Sequence, residues 1–403
     1  MRRKAVSIFI AVITTSLLVS GAVSSQSVFG LNFIGEHRFG GNARTAALGN
    51  SGIALADTSN AITMNPASLS DLSRVTFSLF EVLSFSRIEY ADIQSNQTRF
   101  QLPSVAVAVP LREGLVFSLG YRTRFEGKSD FIFRSEFEDT YINEKHELNS
   151  SLFSVPFVVA WRPADWLRVS GELQFERGSI KDEVSVYFDD PLYNAVSSLR
   201  TRSFSSGSWA VSMLMRIHPR LWVGGSYDES IDYTVNESIK YTRESLNESS
   251  TWDFSLPAAF STGVAAGITD RWWLTGSYWA RQAPEPAGFP QFEGALGDEN
   301  LFAFGIERRS GAEGGIISRI PLRIGFYRNR WHLEFPEGEP VVSSFFTVGS
   351  GFSMPGGPGD LDLTLEFGKI GSVENNKIDE KVFRLGISMN FSETWSRRKI
   401  VRH

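Results

Sequence analysis

Cysteine is absent from the 403-residue chain. That excludes disulfides, thiolate metal sites and a lipid-modified cysteine. Histidine is scarce: His37, His146, His218, His332 and His403 lie far apart, and no spacing among them suggests a metal centre. After Gly21 no uninterrupted apolar run approaches the roughly twenty residues of a membrane-spanning helix. Linkers, low-complexity tracts and charge blocks are missing too, so nothing divides the chain into small domains. The net charge of -5 is mild and offers nucleic acid no basic footprint. G-x-S-x-G, the P-loop, H-E-x-x-H and a dinucleotide G-x-G-x-x-G are all absent. The sequence therefore predicts no enzyme, no cofactor and no metal.

The first thing present is an export signal. Met1-Arg2-Arg3-Lys4 is basic, Ala5 to about Val19 is apolar, and Gly21-Ala22-Val23-Ser24-Ser25 is small. Those are the three regions of a secretory signal peptide, here 1–25.

Phenylalanine is abundant, with 32 residues, and it recurs at alternate positions. A strand places successive side chains on opposite faces. In Leu115–Phe125, Leu115, Phe117, Leu119, Tyr121 and Phe125 share one face and Val116, Ser118, Gly120, Arg122 and Arg124 the other. Leu167, Val169, Leu173 and Phe175 alternate with Arg168, Ser170, Glu172 and Gln174. Phe383, Leu385, Ile387, Met389 and Phe391 alternate with Arg384, Gly386, Ser388 and Asn390. Short turns such as Arg162–Asp165, His218–Arg220 and Thr269–Arg271 alternate with long polar loops expected near 126–147, 178–203, 229–252 and 282–298. Trp161, Trp166, Trp222, Trp272 and Trp273 flank the short turns, and Tyr121, Phe125, Tyr227 and Tyr278 lie toward the other strand ends. Two aromatic girdles and alternating connection lengths are the marks of a transmembrane β-barrel. Lipid offers no partner for a free backbone N–H, so such a sheet must close. The expected fold is all-β: an antiparallel transmembrane barrel over 73–391 with about fourteen strands. A basic tail, 392–403, follows.

Residues 40–72 break the alternation and are rich in small side chains. Asn65-Pro66 reads as a helix N-cap followed by proline at the first helical position. The segment 26–72 is expected to be a hatch of short helices and turns inside the lumen.

The run Ala43–Ala67, with Ala-Leu-Ala-Asp and Asn-Pro-Ala, resembles the N-terminal region of FadL-like outer-membrane transporters of long-chain fatty acids and aromatic hydrocarbons. Ser255–Tyr278 resembles that family's strand, short turn, Trp, strand pattern. The Asn-Pro-Ala segment also resembles the PorV-like barrels of a protein secretion system. The FadL resemblance implies a fourteen-stranded barrel of the bacterial outer membrane. It implies uptake of hydrophobic small molecules with release sideways through the wall. Carried over by position, Asn65, Pro66 and Ala67, with Asp57, would be hatch residues. The PorV resemblance implies a structural adaptor with a secretion-system partner and no transport role. In either reading the surroundings are outer-membrane lipid and lipopolysaccharide, with no nucleic acid.

Arg122, Arg124, Arg168 and Glu172 are expected to face the lumen. Arginine binds carboxylates in bidentate fashion, so these are candidates for an anionic headgroup. Pro103, Pro156 and Pro257 fall within expected strands, where each removes a ladder donor. Each is a candidate for the place where the wall opens.

Overall fold

The computed structural model of the chain describes residues 27, 29, 34–90, 93–137, 140–189, 193–285, 295–311, 316–334, 339–353 and 359–393. The expected signal peptide 1–25 and positions 394–403 of the expected tail lie outside the described residues. The strands are β1 (Val75–Tyr90), β2 (Ile93–Arg112), β3 (Leu115–Phe137), β4 (Thr140–Ala164), β5 (Leu167–Phe188), β6 (Val196–His218), β7 (Leu221–Asp228 with Ile231–Tyr241), β8 (Glu248–Leu256 with Ala259–Gly267), β9 (Trp272–Arg281), β10 (Glu299–Arg308), β11 (Leu322–Glu334), β12 (Pro340–Ser353), β13 (Gly359–Ser372) and β14 (Ile378–Glu393). Each is antiparallel to the next. β14 pairs with β1 from Ile378↔Tyr90 to Glu393↔Val75, which closes a fourteen-stranded barrel. Among the described residues no helix is long and apolar enough to cross a membrane.

The outer face explains the phenylalanines. Phe85, Phe157, Phe175, Trp209, Tyr227, Phe260, Phe302, Phe346 and Phe367 are exposed on the barrel exterior. Their rings meet neighbours across the strands: Phe367 and Phe383 at 5.1 Å, Phe326 and Phe346 at 5.0 Å, Tyr278 and Phe302 at 4.7 Å, Trp209 and Tyr227 at 5.7 Å. Leu111, Trp161, Trp166, Ile217, Trp272 and Leu322 are exposed near the turn end. On β4 the apolar span from Phe153 to Trp161 is ~26 Å of strand. At a tilt near 40° it stands roughly 20 Å tall, close to a bilayer's apolar band.

Three expectations need correction. Phe125 does not face lipid; it is 1% exposed and points into the lumen. A bulge at Arg124 pairs Thr123 with Phe153 and Phe125 with Leu152, which shifts the alternation by one. Trp222 and Trp273 also face inward, because adjacent residues cannot share a face and Trp272 takes the outer one. The expected loops near 126–147, 178–203 and 229–252 are largely strand. Beyond the girdle both faces meet water, so the hydrophobic alternation disappears while the backbone pairing continues. The β3–β4 hairpin runs from Phe153 to Thr140, ~43 Å of further strand.

Candidate functional site

The lower lumen, toward the short turns, holds the hatch. Asn42 caps the helix Ala43–Ala47 by accepting the Thr45 N–H at 3.0 Å. Asn65 caps the 3-10 helix Pro66–Asp71, with Pro66 at its first position. The Asn65 side chain is fully buried. Its amide nitrogen donates to Ile53 O at 2.8 Å and to Met213 O on β6 at 2.9 Å, and its oxygen accepts from Ala67 N at 3.1 Å.

Hydroxyls on the wall receive the hatch backbone. Ala43 N–H donates to Ser388, Ala61 N–H to Ser78 and Ala67 N–H to Ser212, at 2.8, 2.8 and 3.1 Å. Gly49 N–H donates to Thr347 Oγ1 at 3.1 Å, and that hydroxyl donates to Ala47 O at 2.9 Å. Glycines on the wall let the hatch come this close. A Cβ on Gly305 would sit 2.6 Å from Leu48 O, and one on Gly325 would collide with the backbone of Leu48 and Gly49. Arg44 makes two bonds to Glu307, at 2.9 and 2.8 Å, and meets Asp57 at 3.2 Å. Asp57 also accepts from Ser59, in the manner of an Asx turn.

Above the hatch, residues 34–41 form a strap across the lumen. Glu36–His37 is a short strand paired with β3, Glu36 opposite Glu126 and His37 opposite Phe125. Arg38 N–H continues it, donating to Arg124 O at 2.8 Å. Glu36 accepts from Arg384 at 2.7 Å and from Arg38 at 3.3 Å. Burial pushes the Glu36 carboxyl up, but Arg38, Arg384 and Arg99 outweigh that and hold it at about 2. His37 Nδ1 lies 3.0 Å from Glu299, and its ring stacks on Phe125 at 4.9 Å. Burial lowers the His37 pKa, with Glu299 opposing.

The strap occupies a break in the wall. β2 and β3 pair only from Arg112↔Leu115 up to Ser104↔Arg122. Beyond Ser104, among the described residues, β2 from Ile93 to Pro103 has no backbone ladder to β3, and two side-chain bonds span the gap near the vertex, Thr123 Oγ1 to Leu102 O at 3.3 Å and Gln101 Nε2 to Glu126 at 3.1 Å. Pro103 sits at the vertex, inside a bulge where Leu102 and Pro103 oppose Glu81 alone. A cavity of about 70 Å3 reaches this vertex; Pro103 and Thr123 line one end, Tyr327 and Arg384 the other. The other two prolines also fall at interruptions. Two rungs between β3 and β4 are missing at Pro156, while its pairing with Gln174 on β5 continues. Pro257 lies in the break between the halves of β8, level with the break in β7 at Glu229-Ser230.

The expected lumen residues face inward and are all paired. Arg122 bonds Glu172 at 2.8 Å, Arg124 meets Glu176 at 3.1 Å and also bonds Gln174, and Arg168 bonds Asp71 of the hatch at 2.7 Å. Arg168 also stacks over Trp222 at 4.5 Å. The structure does not gather these four at the cavity; the charged residues that line it are Glu36, Arg38, Glu366 and Arg384, with His37. Sequence reasoning passed over the strap. Its signal is Glu36-His37-Arg38, three ionisable residues in a row between Phe33-Ile34 and Phe39.

Comparison with solved structures identifies the fold. The chain superposes on the toluene transporter TbuX of Ralstonia pickettii with a TM-score of 0.60 at 15% identity, covering 91% of this chain and 100% of that one. A FadL homologue of Pseudomonas aeruginosa matches with a TM-score of 0.60 at 11% identity, covering 89% and 99%. The toluene transporter TodX of Pseudomonas putida gives 0.58 at 12%, covering 91% and 100%. The fold is therefore the FadL-type, multi-pass barrel of the bacterial outer membrane. No curated protein matches the sequence. The family model described as BamG matches residues 1–401, and the chain belongs to the BamG family.

Proposed function

We propose that this barrel passes hydrophobic small molecules, fatty acids or hydrocarbons, sideways into the membrane at the β2–β3 cleft. The observation that carries the reading is the ladder that stops at Ser104↔Arg122, with a lumen cavity running to its vertex. An apolar molecule in the lumen reaches lipid there by parting side-chain bonds, Thr123 to Leu102 O and Gln101 to Glu126, instead of a backbone ladder. The similar TbuX and TodX barrels are toluene transporters. The mechanism is binding and diffusion, with no covalent step. At about 70 Å3 the cavity is too small for such a ligand, since ligand pockets run to roughly 300 Å3 or more. Transport therefore requires the strap 34–41 to swing away, while the hatch below blocks a free aqueous pore. Of the three prolines, Pro103 marks the opening, and Pro156 and Pro257 are bends in a wall that stays shut.

The test exploits the lack of native cysteine. His37→Cys and Phe125→Cys, opposite each other, pin the strap to β3. Oxidised protein in cells lacking their own hydrocarbon channels should take up radiolabelled oleate at the background rate, and reduction should restore uptake. Equal uptake in both states would overturn the reading.

A second reading, a sealed adaptor barrel, draws on the paired lumen charges and the ribbons of β3 to β6 that stand beyond the girdle. It predicts a stoichiometric protein partner on gentle extraction and no change in oleate uptake on deletion.

A further inference from the structure

A groove of about 450 Å3 opens on the outer side of the barrel wall. Ser151, Phe153, Arg177, Ser179, Ser203 and Asn236 are among its lining residues. Cross-strand register places them in two rows over four strands. Ser151, Ser179, Ser203 and Asn236 lie side by side on β4 to β7, and Phe153, Arg177 and Ser205 lie one step nearer the membrane. All occupy outward positions, because their neighbours Leu152, Ile180, Phe204 and Val235 are buried in the lumen.

The dent has a cause in the backbone. Gly178 lets β4 and β5 crowd together; a Cβ there would lie 2.7 Å from Leu152 Cα. The side chains around it are short, so the wall recedes where it would otherwise be level. Just beneath, toward the membrane, Phe175 and Trp209 are exposed members of the aromatic girdle. Aromatic girdles mark the boundary between acyl chains and head groups. The groove therefore sits at head-group height, facing the bilayer.

Its chemistry is that of an anion receptor. No carboxylate lines it. Arg177 is held at the edge by Nη1, which donates to Glu176 O at 2.8 Å and Ser206 O at 3.3 Å. Its Nε and Nη2 bond nothing among the described residues. Those two N–H groups form the fork that suits a phosphate. Lys181 stands exposed one rung beyond Ser179 on the same face and adds a second positive charge. Four serine hydroxyls, of Ser151, Ser179, Ser203 and Ser205, and the Asn236 amide supply further donors.

We propose that this groove binds the phosphate group of an outer-leaflet lipid, with Arg177 as the fork and the serine row as the cradle. The site is on the exterior of β4 to β7, away from the β2–β3 cleft, and does not depend on what the lumen does.

Native mass spectrometry of the full-length protein in detergent tests it. The probes are bis-phosphorylated lipid A, the same lipid with both phosphates removed, and inorganic phosphate. Wild type should retain the phosphorylated lipid at least about five-fold more than the dephosphorylated one. Arg177→Gln, and Ser179→Leu, which fills the groove, should each abolish that preference. Arg134→Gln, which removes a guanidinium paired with Asp189 on the protruding ribbon, should leave it intact. Heat-dependent gel mobility confirms that each variant is a folded barrel. Equal retention of the two lipids, or an unchanged preference in folded Arg177→Gln, would overturn the proposal. So would displacement of the lipid by low-millimolar inorganic phosphate, which would make this a site for free anions.

Discussion

The lower and upper lumen are filled by the same stretch of chain, yet they are held with different completeness. Below, the hatch is fixed by asparagine caps, serine and threonine hydroxyls and wall glycines that bring backbones together, with the Arg44–Glu307 and Arg168–Asp71 ion pairs added, each of them fully hydrogen-bonded on the hatch side. Among the described residues, no hatch side chain from 42 to 72 leaves a buried polar atom without a partner. Above, the strap is fixed by long charged side chains. Glu36 Oε2, Arg38 Nε and Nη2, Arg99 Nε and Nη1, and Arg384 Nε are buried with no hydrogen-bond partner. A buried polar group without a partner costs ~1–3 kcal/mol. The hatch is thus a finished interface and the strap an unfinished one. The difference bears on which part would give way first: the strap leaves donors of Arg38, Arg99 and Arg384 unbonded within the chain, and the hatch leaves none.

The contrast can be broken from its stronger side first. Gly325→Leu drives a side chain into the backbone of Leu48 and Gly49. The expected loss is roughly 3 kcal/mol or more. It should be read as a fall in the temperature at which gel mobility changes, with ion leak as the hatch is displaced. A variant as heat-resistant as wild type would show that the close approach is unimportant. Asn65→Leu removes three hydrogen bonds and with them the donor that the Ile53 and Met213 carbonyls share. A loss of about 2–4 kcal/mol is expected, with the hatch becoming sensitive to protease.

Smaller effects sharpen the comparison. Glu36→Gln should loosen the strap alone, speeding exchange of the Arg38 amide about ten-fold, or ~1.4 kcal/mol of local opening. The Ala43, Ala61 and Ala67 amides of the hatch should not change; if they speed up equally, strap and hatch move as one. Acid should act in the same direction. The folded Glu36 pKa, about 2, is below its ordinary value near 4.5. Its stabilisation is therefore complete above that ordinary value and is lost as pH falls toward 2. Strap amides should quicken in that window, measured against hatch amides in the same sample. Least of all, Asn50→Gly should matter by about 1 kcal/mol or less, since Asn50 already sits at φ 60, where glycine is at home.

The wall was legible because lipid enforces a period of two that propensity alone would not. β13, with Leu361, Leu363, Leu365 and Phe367 against Asp362, Thr364 and Glu366, can be read from the letters. Reading failed wherever that enforcement stops. At Arg124 a single bulge reverses the faces, so Phe125 reads as lipid-facing yet lies in the lumen. Past Phe153 water bathes both sides of the β3–β4 hairpin, and strand looks like loop. The hatch was visible through Asn65-Pro66, whose capping is local chemistry. The three prolines were equivalent in the sequence as candidates for an interruption of the ladder. What separates Pro103 from the others is the divergence of β2 from β3, a long-range fact with no local signature.

The bond from Ala43 to Ser388 spans 345 residues. Ser388 lies on β14 and Ser78, which holds Ala61, lies on β1, the two strands that meet at the seam. The hatch therefore grips both strands of the junction that closes the barrel. One short segment of small residues thus staples the two ends of the sheet from within, in addition to the ladder that joins them.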